Sequence, residues 1–476
     1  MTFSRIFAFR LIFAAAFLLS VGTAGAQTPG GDGTAGFARN ETAGFARNGT
    51  VSFARALAEA YLHNPDLEAA RAELRSVDEG YAQAMSGYRP RLTGEASYTS
   101  SYYDGDIFDN HADPKTLALE LRQPLYRGGS TEANVRASSN RIKAQRAILH
   151  GVEQRVLLEA VTVYLDVRRD SELVRLNTNN QNVLEKHLEA SRQRFKLGDI
   201  TKTDVSQAES RLANALAGRV RAEGSLQASR ARFERVVGMT AGDLPAPAYA
   251  VDIPATLDAA ITLGEAQNPD IQFSEFSHAA AAANTRAVKG ELLPQVDLTG
   301  SLGRTYDPAL RTDDHMNTTS VGVVASIPLY TGGAVDARVR QSRQVESQRR
   351  MEQQRAARAV RQGVIDAWTE LTAVDAEMQA RKSQIDAAKL ALDGVRIEAD
   401  YGSRTTLDLL DAEQEYLDAQ VAHVIAERNK VVALYRLLSS TGELTAARLG
   451  LDVPVYNPAA NFQKVKNRWI GTSIGD

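Results

Sequence analysis

The chain has 476 residues, of which 43% are hydrophobic and 24% charged, with a net charge of −3 and a pI near 6.2. With both signs mixed and no dense block of Lys or Arg, it has no general attraction to a polyanion, which excludes a dedicated nucleic-acid binder. The absence of cysteine excludes disulfides, thiolate metal sites and a lipid anchor on an N-terminal cysteine.

At the N-terminus, Arg5 and Arg10 precede an apolar run from Leu11 to Val21 and the small residues Ala24-Gly25-Ala26. This layout predicts a signal peptide over 1–26, cleaved after Ala26. The run is shorter than the ~18–20 residues of a helical membrane span, which leaves an N-terminal anchor as the weaker alternative. Residues 27–50 are Gly-rich, and the motif from Thr34 to Asn40 is copied from Thr42 to Asn48. Low apolar content predicts a disordered leader with a slipped duplication; a docking motif is the alternative, and no function is assigned to it.

Beyond residue 50 the chain repeats itself at one offset. Asn64-Pro65-Asp66 returns 204 positions later as Asn268-Pro269-Asp270, and Pro90 returns as Pro294. Pro124-Leu125-Tyr126 with Gly128-Gly129 returns as Pro328-Leu329-Tyr330 with Gly332-Gly333. Gly198, Asp204, Ala208-Glu209 and Gly238 return as Gly402, Asp408, Ala412-Glu413 and Gly442. One structural unit is therefore present twice, over 51–240 and 257–443, with a linker over 241–256 and a tail over 444–476. A pseudo-two-fold body is a poor setting for an asymmetric catalytic pocket.

Within the first unit, residues between Pro90 and Gly128 alternate with period two. Leu117, Leu119 and Leu121 face one way, while Thr116, Ala118, Glu120 and Arg122 face the other. Arg91 to Tyr103 supplies a partner strand, giving a β-hairpin over about 91–126 with a polar loop from Asp104 to Pro114. From Ser130 to Lys196 there is no proline, and Ile142, Leu149, Val156 and Val163 recur in sevens. A second row runs through Ala160, Val167, Val174, Leu188 and Phe195. A helix of this length extends on the order of 100 Å, beyond any compact domain, and must be a coiled-coil strut. A returning helix follows Gly198, with Val205, Leu212, Leu226 and Phe233 on its seam.

The second unit repeats this order. Its β-hairpin spans about 295–330, with Val321, Val323, Ala325 and Ile327 on one face and a polar loop from Asp307 to Asn317. Its returning helix carries Leu410, Leu417, Val424, Val431 and Leu438 at strict sevens. Strands of about ten residues with alternating faces and tyrosine rims carry the signature of outer-membrane barrel strands. Four such strands cannot close, because the smallest membrane barrels have about eight and an open edge in lipid leaves backbone groups unpaired. The chain must borrow strands from other copies; a small soluble β-subdomain capping the coiled coil is the alternative.

The duplicated Asn-Pro helices, the strand ending Gln123-Pro124-Leu125-Tyr126 before Gly-Gly, and the run Gly402-Ser403-Arg404-Thr405-Thr406-Leu407-Asp408-Leu409-Leu410-Asp411-Ala412 resemble the TolC family of outer-membrane exit ducts. The likeness covers Val51 to Trp469. It implies a mostly α fold with a small membrane β part, in which three chains form a trimeric α-barrel and share a 12-stranded β-barrel. It also implies a homotrimer in outer-membrane lipid, a periplasmic adaptor protein, an ABC or proton-driven inner-membrane transporter, and a collar built partly from Pro245 to Pro254 and the tail. The tail from Tyr456-Asn457-Pro458 to Trp469-Ile470-Gly471 resembles members associated with type I secretion.

The seven histidines show no metal-ligand spacing and no G-x-S-x-G occurs, so neither an enzyme nor a cofactor is expected. Thr201 with Asp204, and Thr405 with Asp408, stand three apart at helix starts and fit capping boxes. Asp411 lies one turn beyond Asp408 on the same face. By the resemblance, Asp408 and Asp411 line a periplasmic constriction, and Arg404 ties its hairpin to Thr203 and Asp204 as a gate latch. Ala399 stands where the family pattern has a tyrosine, which displaces or removes the aromatic part of that latch. The function expected is the passive exit duct of a type I secretion or tripartite efflux system. The rival is a periplasmic coiled-coil adaptor without a pore.

Overall fold

A side chain that serves two helices at once explains the Asn-Pro motif. In the computed structural model, which describes residues 51–104, 110–247, 252–307 and 315–474, helix α1 (Phe53–His63) runs into α2 (Pro65–Met85) through Asn64. The Asn64 carbonyl oxygen accepts from Asp66 N at 3.0 Å and caps α2, whose first residue is the proline that needs no N–H there. Its amide donates to Val236 O at 3.0 Å, at the far end of another helix. The signal peptide and the leader with its tandem motif lie outside the described residues, as do parts of the linker and of both polar loops.

Strand β1 (Arg91–Tyr98) is followed by a short extension, β2 (Ser101–Tyr103) with β3 (Asn110–Ala112), and then by β4 (Lys115–Arg127). The continuous strand expected to Tyr103 is thus broken at Thr99 and Ser100. Helix α3 (Ser130–Leu197) has 68 residues and is stopped by Gly198 at φ +83°, a left-handed cap that costs glycine little. Helix α4 (Lys202–Val237) returns along its distal half.

The second half reproduces each step: α5 (Leu257–Gln267), α6 (Pro269–Gly290), β5 (Gln295–Tyr306), β6 (His315–Ser326), α7 (Ala334–Asp400) and α8 (Thr406–Thr441). Asn268 caps α6 and donates to Ser440 O at 2.9 Å, so both units splice a returning helix onto a new one in the same way. Strand β6 begins at His315, three residues earlier than the polar pattern implies. The half of α3 not covered by α4 packs against α2 and α6.

The four long strands form one antiparallel sheet in the order β1-β4-β5-β6, with β1 and β6 as open edges. One face carries Leu92, Leu117, Leu119, Leu121, Leu302, Val321 and Val323, all exposed. Hydroxyls occupy the other: Thr116 and Thr305 lie 3.2 Å apart, and Ser301 and Ser320 2.7 Å apart. A bulge between Pro124 and Tyr126 marks the end of the sheet. Below it Gly128, at φ +61°, approaches α6 so closely that an added Cβ would stand 2.2 Å from Gly290 O.

Midway along the struts lies the main core, built on Leu57, Tyr61, Leu157, Tyr164, Phe233, Tyr435 and Leu444. The Tyr164 hydroxyl donates to Pro245 O at 2.8 Å and to Val51 O at 3.2 Å, fixing the linker and the first described residue to α3. The tail, with α9 (Ala460–Val465), lies along α2. Tyr456 N donates to the Tyr61 hydroxyl at 3.0 Å, Asn461 donates to buried Asp78 at 2.9 Å, and the Arg89 guanidinium sits 4.9 Å from the Trp469 ring.

Candidate gate at the hairpin tips

The free ends of the two long hairpins are built by the same rule. At the first tip the Thr201 hydroxyl accepts from Asp204 N at 3.3 Å, while Asp204 accepts from Thr201 N at 2.8 Å. At the second the Thr405 hydroxyl accepts from Asp408 N at 3.2 Å, and Asp408 accepts from Thr405 N at 3.0 Å. Both are the reciprocal capping boxes that the threonine-to-aspartate spacing predicts. Hydrogen bonds from the threonine backbone, and then from its hydroxyl, hold both carboxyls below the usual carboxylate range.

Among the described residues, Arg404 is not bonded to Thr203 or Asp204 within the chain. Its Nε donates to Glu398 at 2.8 Å across the Gly402 turn, and Asp204 is occupied by its own cap. The turn is short enough for the arginine to be taken by a carboxylate six residues before it. Thr203 stands exposed on the first turn of α4. Tyr401, two positions after Ala399, is 87% exposed and presents an aromatic ring at this tip.

What joins the two hairpins is a set of contacts that sequence reading left without a role. Arg211 on α4 donates to Asp411 on α8 at 2.5 Å. Two residues further along α8, Glu413 accepts from Arg396 at 2.7 Å and has His187 of α3 at 3.8 Å. Burial works against the Glu413 carboxylate, yet hydrogen bonds from His187 and Arg396 leave it below its ordinary range. Beside them Leu410 is buried against Leu184 and Ala215 of the first hairpin. A signal for the Arg396 pair existed in the repeat: its twin, Arg192 to Glu209 at 2.8 Å, has the same separation of 17 residues. Arg211 has no such twin, because position 415 is Glu.

Among the described residues no group of His, Asp and Glu is placed to hold a metal ion, and no helix is long and apolar enough to cross a membrane. Paired struts that carry an open sheet with one apolar face at one end, and ion-paired tips at the other, define a component of a membrane duct. The model of the outer membrane efflux protein family matches residues 56–239 and 261–443, and the chain belongs to that family, the TolC family. It is 37% identical over 422 residues to the outer membrane efflux protein BepC of Brucella suis, spanning 88% of this chain and 92% of that protein. It is 24% identical over 432 residues to outer membrane protein TolC of Escherichia coli, with 85% of each covered. The crystal structure of the Campylobacter jejuni outer-membrane channel CmeC superposes with a TM-score of 0.75 at 15% identity, covering 87% of this chain and 89% of that one.

The chain is therefore an outer-membrane exit duct for efflux or secretion that extends into the periplasm. Its family is one of channels, not of catalysts, and membership decides against the poreless adaptor. The open four-stranded sheet is the monomer form of a fold that closes as a trimer.

Proposed function

We propose that this duct is gated at its periplasmic mouth by the second hairpin, α7 with α8, and opens when an adaptor and an inner-membrane transporter engage the tips. The observation that carries the reading is the joint between the hairpins. Leu410, Glu413 and Asp411 hold α8 against the first hairpin through an apolar contact, a contact to His187 and an ion pair to Arg211. Release of those contacts would let the tip swing without unfolding either helix pair. Asp408 in three copies would form a carboxylate ring at the narrowest point, and Asp411 a second ring whose charge Arg211 offsets. Arg404, engaged by Glu398 in one chain, would reach Thr203 and Asp204 only across a rearranged or neighbouring tip.

No nucleotide-binding loop is present in the sequence, so energy would come from an ABC or proton-driven transporter through a periplasmic adaptor. The likeness to the efflux protein of Brucella suis supports efflux. A second reading, polypeptide secretion, is supported by the Tyr456 to Trp469 tail. A deletion strain tests both: sensitivity to dyes and detergents with normal secretion supports the first, and retention of one secreted polypeptide supports the second. Unchanged tolerance and unchanged secretion would remove both.

A further inference from the structure

The internal repeat fixes how one copy joins the next. We propose that β6 of one chain pairs antiparallel with β1 of a second copy in a single register, with Val323 opposite Tyr98, Val324 opposite Ser97 and Ala325 opposite Ala96. The inference rests on the trimeric fold above and adds the residue pairing that closes it.

Two observations carry the step. First, the offset of 204 preserves strand register without slip: Arg91 faces Arg122 in the first hairpin, and Gln295 faces Ser326 in the second. The junction between hairpins inside the chain is β4 with β5, where Leu119 faces Leu302, Ala118 faces Gly303 and Leu121 faces Gly300. Moving β4 forward by one repeat gives β6, and moving β5 back gives β1. Leu119 with Leu302 then becomes Val323 with Tyr98, Leu121 with Gly300 becomes Ala325 with Ala96, and Arg122 with Thr299 becomes Ser326 with Glu95. These two strands are the sheet's open edges.

Second, the chemistry of the faces agrees independently of the repeat. On β1 the apolar face carries Leu92, Ala96 and Tyr98, at even positions; on β6 it carries Val321, Val323 and Ala325, at odd ones. The inferred pairs join even to odd, so apolar side chains meet apolar ones and Ser97 meets the opposite face. A slip of one residue would put Val323 against Ser97 and turn one strand's lipid-facing side chains into the lumen. Three copies of four strands then close with no free edge in lipid.

The natural chain has no cysteine, which makes the test clean. Ala96→Cys with Ala325→Cys, and separately Ser97→Cys with Val324→Cys, are oxidised in outer-membrane vesicles and run on denaturing gels. Adjacent pairs alternate between hydrogen-bonded and non-hydrogen-bonded geometry, so one of the two suits a disulfide better. Strands β4 and β5 separate the positions within a chain, so only links between copies form. The expected result is reducible dimer and trimer bands from at least one matched pair, several-fold stronger than from the slipped pair Ala96→Cys with Val323→Cys, which a two-residue shift would align. Each single cysteine should give no trimer. Amine-reactive cross-linking of the unaltered protein reads assembly independently. A trimer there, with the slipped pair linking better or neither matched pair linking, overturns the register alone; a monomer overturns the trimeric reading with it.

Discussion

Arg396 and Glu413 lie 2.7 Å apart across the second hairpin, and the carboxylate is the buried partner, because His187 of the first hairpin covers it. The twin pair, Arg192 with Glu209, keeps the distance at 2.8 Å but leaves both side chains about half exposed. Duplication conserved the ion pair, and only the second copy made it part of a joint between hairpins.

That asymmetry gives a direct comparison. Glu413→Gln removes the carboxylate that accepts from Arg396 and faces His187, and should destabilise the hairpin joint by about 2 kcal/mol. Glu209→Gln, in solvent, should change stability by no more than about 0.5 kcal/mol. Since the folded Glu413 carboxyl is held below its unfolded value, its contribution is present above the unfolded value and is lost as pH falls through the folded one. Thermal unfolding in detergent between neutral pH and the acid range should therefore show a step that Glu413→Gln abolishes. Equal effects of the two substitutions would remove Glu413 from the joint.

At the junction of sheet and strut, Gly128 and Gly129 separate two costs. Both have positive φ, at +61° and +77°, but only Gly128 has a neighbour, with Gly290 O 2.2 Å from a built Cβ. Gly129→Ala should cost about 1–2 kcal/mol from the left-handed backbone alone. Gly128→Ala should add about 1–3 kcal/mol of overpacking and lower the yield of detergent-extracted oligomer. Matching yields would show that α6 yields at this contact without penalty.

Periodicity and the repeat make most of this fold legible in the sequence. The strut from Ser130 and the turn at Gly198 follow from a proline-free run in sevens ended by a glycine, and the faces of β4 follow from alternation at Leu117, Leu119 and Leu121. Capping boxes were visible because they are local, spanning only Thr201 to Asp204 and Thr405 to Asp408. The contacts between hairpins were not. Arg211 and Asp411 are 200 residues apart, His187 and Glu413 further, and nothing in a single sequence says which helix faces meet. Resemblance points Arg404 toward the other hairpin, whereas in one chain the nearer Glu398 takes its guanidinium.

The tail depends on a buried acid. Asp78 is fully buried; burial pushes its carboxyl up, against the hydrogen bond from Asn461 and the charge of Arg146. A folded value above the unfolded one means its contribution is present below the unfolded value and is lost as pH rises through the folded value. Asp78→Asn, which cannot ionise, should make docking of the tail insensitive to pH across that window. Asn461→Ala should loosen the tail by about 1–3 kcal/mol, by leaving the buried carboxyl without its donor. Limited proteolysis of the tail at several pH values measures both. A tail equally protected in wild type and Asn461→Ala would mean that the Tyr81 and Phe462 rings, 5.1 Å apart, hold it instead.

The gate makes the sharpest demand, because two acids one turn apart should separate selectivity from gating. Asp408 has no cationic partner among its hydrogen bonds, only the amide and hydroxyl of Thr405, with the Arg404 charge nearby, so in the proposed ring three copies would bring its carboxylate to one narrow opening. Asp411 has Arg211 at 2.5 Å, which offsets most of its field. Asp408→Asn should therefore remove most of the duct's preference for cations, while Asp411→Asn, which leaves Arg211 uncompensated, should lower that preference and also free the second hairpin. Arg211→Ala should raise the cation preference by exposing Asp411 and at the same time raise conductance by cutting the tie between hairpins. Thr405 holds the Asp408 carboxyl below the usual range, so its contribution is complete at neutral pH and is lost as pH falls through that lowered value, when the capping box opens too. Planar-bilayer recordings of reversal potential and conductance read the two effects separately. A fall in cation preference on Arg211→Ala would show that Asp411 does not face the pore, and unchanged conductance would show that its pair with Arg211 does not hold the gate.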